Sequence, residues 1–181
     1  MIKIGITGNI ASGKSEFEKV HESLNFEVYD LDILSKEIFE EKKDEIKKIF
    51  NTLDKKTIAD IIFSNKEKKE ALENIIHPKL KQKILEIFKK DLDIIFISGA
   101  ILYQSGFDKF FDKIIFIDAP VEIRLKRLIK RNNLSYDEAL LRLNGQDDFG
   151  KDKADFIVQN TSDIKNLKQN AIKIINLLSN G

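Results

Sequence analysis

The segment Gly8-Asn9-Ile10-Ala11-Ser12-Gly13-Lys14-Ser15 constrains this chain more than any other. It fits G-x-x-x-x-G-K-[ST] at every fixed position. Ile2–Thr7 before it is short, apolar and rich in Ile, as a buried strand would be. Ser15–Leu24 after it carries Phe17, Val20 and Leu24 at helical spacing. Strand, loop and helix together are the context that this pattern's chemistry requires. The glycines let the backbone fold tightly around phosphate oxygens with N–H groups inward, and the new helix adds the positive end of its dipole. Lys14 is spaced to reach β- and γ-phosphates, and the Ser15 hydroxyl to ligate Mg²⁺. The segment predicts a nucleoside triphosphate site. The competing reading is an ordinary strand–turn–helix corner with a buried Lys or Ser, and the register of all three parts weighs against it.

Beyond the loop, Phe26–Tyr29 reads as a second strand ending at Asp30. From Ile33 to about Lys90 the pattern is almost wholly helical, with Lys–Glu pairs and one break at Pro78. Strand signals return at Ile94–Ile97, Ile114–Ile117 and Phe156–Val158. Val121–Arg131 and Ser135–Leu143 read as two helices, with Ser135 as an N-cap, and Ile164–Leu178 as a terminal amphipathic helix. This alternation predicts an α/β fold, a P-loop three-layer α/β/α sandwich with a five-stranded parallel sheet. About 60 residues separate the second and third strands, far more than a crossover needs. A helical insertion over about residues 33–90 is therefore expected at the carboxyl ends of the strands, where ligands bind in such sheets. The remaining core of this single 1–181 domain is expected over about 1–32, 91–120 and 149–181.

Composition narrows the function. The chain has 181 residues, 42% hydrophobic and 34% charged, enough apolar content to bury a core. A net charge of +1 argues against a dedicated nucleic-acid surface. The absence of Cys excludes disulfides, zinc–thiolate sites and thiol catalysis. No stretch approaches the about 20 apolar residues of a membrane helix, and MIKIGITGNI lacks a signal-length apolar run. The expectation is a soluble, cytoplasmic monomer acting on small molecules. Only four of the 31 basic residues are Arg, and Arg124, Arg127, Arg131 and Arg142 all fall in one short stretch. Arg presents a planar, always-charged fork that Lys cannot imitate. The clustering points to a planar anion there. Chance, or a solvated charged helix face, is the alternative.

Asp30 and Asp32 flank Leu31 at the end of the second strand. If the chain stays extended there, both carboxylates project to one side. A carboxylate near a γ-phosphate can accept a proton from an attacking hydroxyl or hold Mg²⁺ through water. Either Asp could instead cap the helix that follows. The spacing leaves the two roles unassigned.

Taken together, GITGNIASGKS, the strand end YDLDIL, and a helical insertion closing with IIHP resemble the dephospho-CoA kinase family. IADIIFSN (Ile58–Asn65), the Arg-rich stretch Ile123–Gln146 and ADFIVQN (Ala154–Asn160) extend the resemblance over nearly the whole chain in order. The resemblance implies ATP- and Mg²⁺-dependent phosphorylation of the ribose 3′-hydroxyl of dephospho-CoA, the last step of coenzyme A synthesis. It makes the insertion substrate-binding and residues of about 121–148 a short helical lid. By position it implies Asp32 as general base, with Lys14 and Arg131 also catalytic. Arg127, Arg142 and Asn160 join the loop and Glu16 in binding nucleotide. Thr7, Asp30, Asp32 and His77 bind the acceptor, and Ser15 the metal. A packing role before Pro78 is the other reading of His77. Arg124 falls where the family usually has Gln.

The chain also departs from the family pattern. The third strand usually ends in D-x-P-L-L-[FY]-E, and this chain has Ser98-Gly99-Ala100-Ile101-Leu102-Tyr103-Gln104. Two candidate carboxylates are thereby missing. Asn9 and Ala11 stand where the family tends to Gly, and Glu16 where it has Thr. Another small-metabolite or nucleoside monophosphate kinase, or a catalytically weakened nucleotide-binding module, are the alternatives.

Overall fold

The computed structural model describes residues 1–144, 150–161 and 164–179. The end of the expected lid, with Gln146, lies outside the described residues, as do positions 162–163 and 180–181. The described residues form five strands and eight α-helices. The chain divides into two compact units, one of residues 1–29 with 91–181 and one of residues 30–90.

In the first unit, β1 (Ile2–Gly8) is the central strand. It pairs in parallel with β3 (Ile94–Ser98) and β4 (Lys113–Asp118), and β4 pairs in parallel with β5 (Phe156–Gln159). With β2 (Val28–Asp30) at the edge, the order is β2-β3-β1-β4-β5. β1, β3 and β4 are near-continuous apolar runs, buried along most of their length, as in a sheet covered on both faces. The chain moves to opposite sides of β1 after its carboxyl end, and such a switch point opens a crevice there. The phosphate-loop segment follows β1 at that crevice.

Ile4, Ile6, Phe96, Ile115, Ile117 and Val158 form the sheet's part of the main core. Phe17 and Val20 of α1 (Lys14–Ser23) pack on it, as do Leu167, Ala171, Ile174 and Leu178 of α8 (Ile164–Ser179). Those last four recur at helical spacing, which gives α8 one apolar stripe. Further along the chain, α6 (Val121–Asn132) and α7 (Tyr136–Asn144) share the core residues Leu125, Leu128, Ala139 and Leu143. The expected N-cap Ser135 forms a capping box. Its Oγ accepts from Glu138 N at 3.3 Å, and its own N–H donates to Glu138 Oε2 at 2.8 Å. Asp155 of the ADFIVQN segment is structural. It accepts from Lys113 Nζ and from the Ile114 N–H, each at 2.8 Å, and so fixes β5 beside β4.

The second unit holds α2 (Leu31–Glu41), α3 (Lys43–Phe50), α4 (Lys55–Ser64) and α5 (Lys66–Ile87). Ile46, Phe50 and Ile58 are its buried centre. Two of its breaks are capped by side chains. Asp54 accepts from Thr57 N at 2.8 Å and Asn65 from Lys68 N at 2.9 Å. The break expected at Pro78 does not occur, and α5 runs through it. Proline removes one helical hydrogen bond there. Burial of Leu80, Ile84 and Ile87 and the reach of Lys83 Nζ to Glu37 (3.1 Å) and Glu41 (3.5 Å) on α2 hold the later turns.

Two other boundaries differ from expectation. β2 starts at Val28, because Asn25 turns the chain with φ 64° and Phe26 joins an aromatic cluster against Phe96, with centroids 5.5 Å apart. α2 starts at Leu31, not near Ile33, so Asp30 and Asp32 do not share an extended segment.

His21 sits in that aromatic cluster, fully buried, with ring centroids 4.5 Å from Phe17 and 4.3 Å from Phe96. Its Nδ1 lies 2.9 Å from the Phe17 carbonyl. Burial pushes its pKa below the ordinary 6.5, outweighing the opposing effect of that carbonyl. The unfolded chain therefore binds the proton first on acidification, and the contribution of neutral His21 to stability is present above pH 6.5 and lost as pH falls through the folded value. Melting temperatures measured down a pH series should fall below about pH 6.5, and His21→Phe should flatten that part of the curve.

Candidate active site

The site grows from the turn between β1 and α1. Ser12 N donates to Asn9 O at 3.0 Å, closing a tight turn, with Ala11 at φ 58°. Gly13 caps α1 at φ 98°, a conformation that disfavours any side chain. A Cβ on Gly13 would also strike the Asn160 amide, and one on Gly8 would strike the Ile117 carbonyl. Thr7, Gly8, Asn9 and Ser12 are buried, Ile10, Ala11, Gly13 and Lys14 are half-buried, and Ser15 and Glu16 are exposed. Glu16 accepts from Lys19 Nζ at 3.1 Å.

The loop is braced from behind. Arg127 Nη1 donates to Ser12 O at 3.0 Å and Ala11 O at 3.4 Å, while its Nη2 donates to Asn160 O and Oδ1 at 3.3 and 3.4 Å. Asn160 Nδ2 donates to Ser12 O at 2.7 Å, and its own N–H to Asp118 O at 2.7 Å. Pinning peptide carbonyls on one side turns the attached N–H groups to the other, the arrangement an anion needs. Ser12 Oγ is buried inside this loop without a hydrogen-bond partner among the described residues. Arg127 and Asn160, expected to touch nucleotide, thus hold the loop's backbone.

Lys14 points its ammonium to Glu18 Oε1 at 2.8 Å and to Ser98 Oγ at 3.1 Å. Ser98 ends β3 and is fully buried. Glu18 went unremarked in the sequence, although its place one turn beyond Lys14 is a readable signal.

The four arginines do not act as one face. Arg124 is 6% exposed, and its Nε and Nη1 have no hydrogen-bond partner among the described residues. Arg127 reaches the loop. Arg131 is exposed near the end of α6 and donates from Nε to Asn132 Oδ1 at 2.9 Å. Arg142 is exposed on α7. The spacing of three and four brings only Arg127 to the loop carbonyls, because the following turn of α6 carries Arg131 out to solvent.

At the end of β4, burial pushes Asp118 up, but bonds from Lys151 Nζ (2.7 Å) and Gln159 Nε2 (3.0 Å) outweigh it and hold the carboxyl below its usual range. Burial raises Tyr103 to about 12, helped by the charges of Asp108, Asp155 and Asp152. Its ring lies where a Cβ on Gly150 would be, so Gly150 leaves it room.

In the helical unit, Asp30 takes the capping role. Its Oδ1 accepts from Asp32 N at 2.7 Å, and Asp32 stands exposed in the first turn of α2. His77 is half-buried within α5.

Among the described residues, no group of three or more His, Cys, Asp and Glu could hold a metal. Mg²⁺ rarely needs such a cage. It binds through one or two protein oxygens, phosphates and waters, and the exposed Ser15 hydroxyl on the first turn of α1 suits that set. No described helix is long and apolar enough to cross a membrane.

The dephospho-CoA kinase (CoaE) family model matches residues 2–166. A dephospho-CoA kinase of Campylobacter jejuni (strain RM1221) is 35% identical over 97% of this chain and 96% of its own. One of Bacillus licheniformis is 31% identical over 98% and 96%. The solved dephospho-CoA kinase from Campylobacter jejuni gives a TM-score of 0.73 at 34% identity, covering 99% of this chain and 98% of that one. A solved Thermus thermophilus structure, TT1252, gives 0.88 at 31% identity, covering 98% and 97%. A shikimate kinase from Bacteroides thetaiotaomicron, 17% identical over 98% of each chain at a TM-score of 0.56, shares the fold.

Arg127→Lys keeps the charge but loses the fork that holds two carbonyls and Asn160. Calorimetric titration should show ATP binding weakened by about 1–3 kcal/mol, the usual effect of removing a charged hydrogen bond, with a lower melting temperature.

Proposed function

This chain belongs to the dephospho-CoA kinase family, and from that premise we propose that it transfers the γ-phosphoryl group of ATP to the ribose 3′-hydroxyl of dephospho-CoA, completing coenzyme A. The observation that carries the reading is the braced phosphate loop at the end of β1, in a chain whose family match runs over residues 2–166.

Phosphoryl transfer asks the protein mainly for positioning and for positive charge around the transferring oxygens. The loop's N–H groups and the start of α1 hold the phosphates, and Lys14 turns to the β- and γ-oxygens. The Ser15 hydroxyl would hold Mg²⁺, which would supply positive charge to offset that of the phosphates. With Asp30 occupied in capping α2, Asp32 is assigned as the base. Its carboxylate orients the 3′-hydroxyl and takes its proton as the oxygen attacks phosphorus and ADP leaves.

The helical unit Asp30–Lys90, with His77, serves as the acceptor lobe in this reading. The helices α6 and α7 belong to a lid over about residues 121–148. Arg131 and Arg142, exposed on them, come to the nucleotide when it closes, and closure excludes water. Thr7 and Glu16 border the same loop. In this reading the protein is a cytoplasmic monomer working on small molecules, and a net charge of +1 offers no overall basic surface for nucleic acid.

A coupled assay with ATP, Mg²⁺ and dephospho-CoA should show turnover, with shikimate and nucleoside monophosphates inert. Binding of ATP without transfer to any acceptor would instead identify a non-catalytic nucleotide module. Lys14→Ala should abolish transfer. Asp32→Asn should lower kcat by about 10²–10⁴-fold, the usual share of a general base, with ATP affinity nearly unchanged. A larger effect from Asp30→Asn would move the base to Asp30.

A further inference from the structure

Phosphoryl transfer as derived above leaves Glu18 without a role. It lies on α1 one turn beyond Lys14, and the two side chains are 11% and 12% exposed. Glu18 Oε1 is 2.8 Å from the Lys14 ammonium, which also donates to Ser98 Oγ at 3.1 Å. Exposed pairs of this spacing contribute little and are common on helices. This pair differs in two respects. Both partners are nearly out of water, and the cation is the one the phosphates need.

The arrival of a triphosphate sets up a conflict. As Lys14 turns to the β- and γ-oxygens, Glu18 loses its counter-ion in poorly solvated surroundings, and an unpaired buried carboxylate is costly. Glu18 then also faces the negative charge of the phosphates across a short, weakly screened distance. Ser98 is a neutral hydroxyl and relieves neither cost. A divalent cation travelling with the phosphates would relieve the second, because it would cancel part of the negative charge that Glu18 faces.

From this geometry we infer that Glu18 is a positioning residue that makes nucleotide capture depend on a divalent cation. It withholds Lys14 from metal-free nucleotide and gives it up to the magnesium complex. The inference rests on the ATP-binding reading of the loop given above. It adds a discriminating function to a residue outside the loop motif.

The test is calorimetric titration of the purified chain with ATP, once in excess EDTA and once in excess Mg²⁺. The quantity to read is the ratio of the two affinities. Glu18→Gln keeps the shape and removes the charge. Metal-free affinity should rise about tenfold, as expected for loss of one close charge competitor, while the Mg²⁺ affinity changes less, so that the ratio falls. Glu18→Asp, which restores a carboxylate, should recover part of the ratio. A ratio unchanged in Glu18→Gln overturns the inference. So does a parallel fall in both affinities, which is what a purely structural role in α1 would produce. If the amide variant melts below the wild type, Glu18→Ala, which leaves no polar atom to bury, reads the same ratio. A wild-type chain that binds ATP in neither condition overturns the nucleotide reading itself. Normal wild-type binding with an unmoved ratio overturns only the role of Glu18.

Discussion

A phosphate cradle depends on peptide groups that all face one way. Each peptide carries its carbonyl opposite its N–H, so donors turned toward an anion leave acceptors turned toward the protein, and buried acceptors need partners. Here the acceptors are the carbonyls of Ala11 and Ser12, and the partners are Arg127 and Asn160. These lie 115 and 148 positions from Ser12 in the chain. The loop's shape therefore depends on α6 and on the end of β5 being in place. The sheet supplies that. β5 is registered on β4 through Asp155 and through Asn160 N to Asp118 O, and β4 lies beside β1, which carries the loop.

The same arrangement explains why Arg stands at position 127 in a chain that otherwise favours Lys. Four directed bonds from one guanidinium reach two loop carbonyls and both oxygens of Asn160. An ammonium on a flexible stem cannot span that set. The arginine cluster was read as a grip on an anion. At position 127 it acts one step back, on the backbone that makes the grip. Lys14 shows the converse. Its compact charge is held by Glu18 and Ser98, and the proposed function needs it to pass from them to a phosphate, which a fixed planar fork would do poorly.

Much of this was legible from local rules. The P-loop spacing, the Ile-rich strands and the apolar stripe of α8 are periodic or motif signals, and the structure shows them where they were expected. The capping box at Ser135 and Glu138 is as local as a signal can be. The misreadings arose where distant packing overrode local preference. Pro78 would break an isolated helix, yet α5 continues because its later turns are buried and tied to α2 by Lys83. Phe26 has strand propensity, yet an aromatic cluster formed by α1 and β3 takes it. The D-x-D spacing left open which Asp caps the following helix, and the structure gives that place to Asp30.

The order of residues alone thus established a nucleotide loop on a parallel α/β sheet, a helical insertion, and the family to which those motifs point. Each of these rests on spacing within a few residues, which backbone geometry converts directly into structure. It did not establish which arginine braces the loop, which Asp caps a helix, or that Glu18 and Ser98 hold Lys14. Those are contacts between residues far apart in the chain, or choices among chemically equivalent candidates. Burial and direction settle such matters, and both exist only once the sheet has brought α1, α6 and the end of β5 together around one turn.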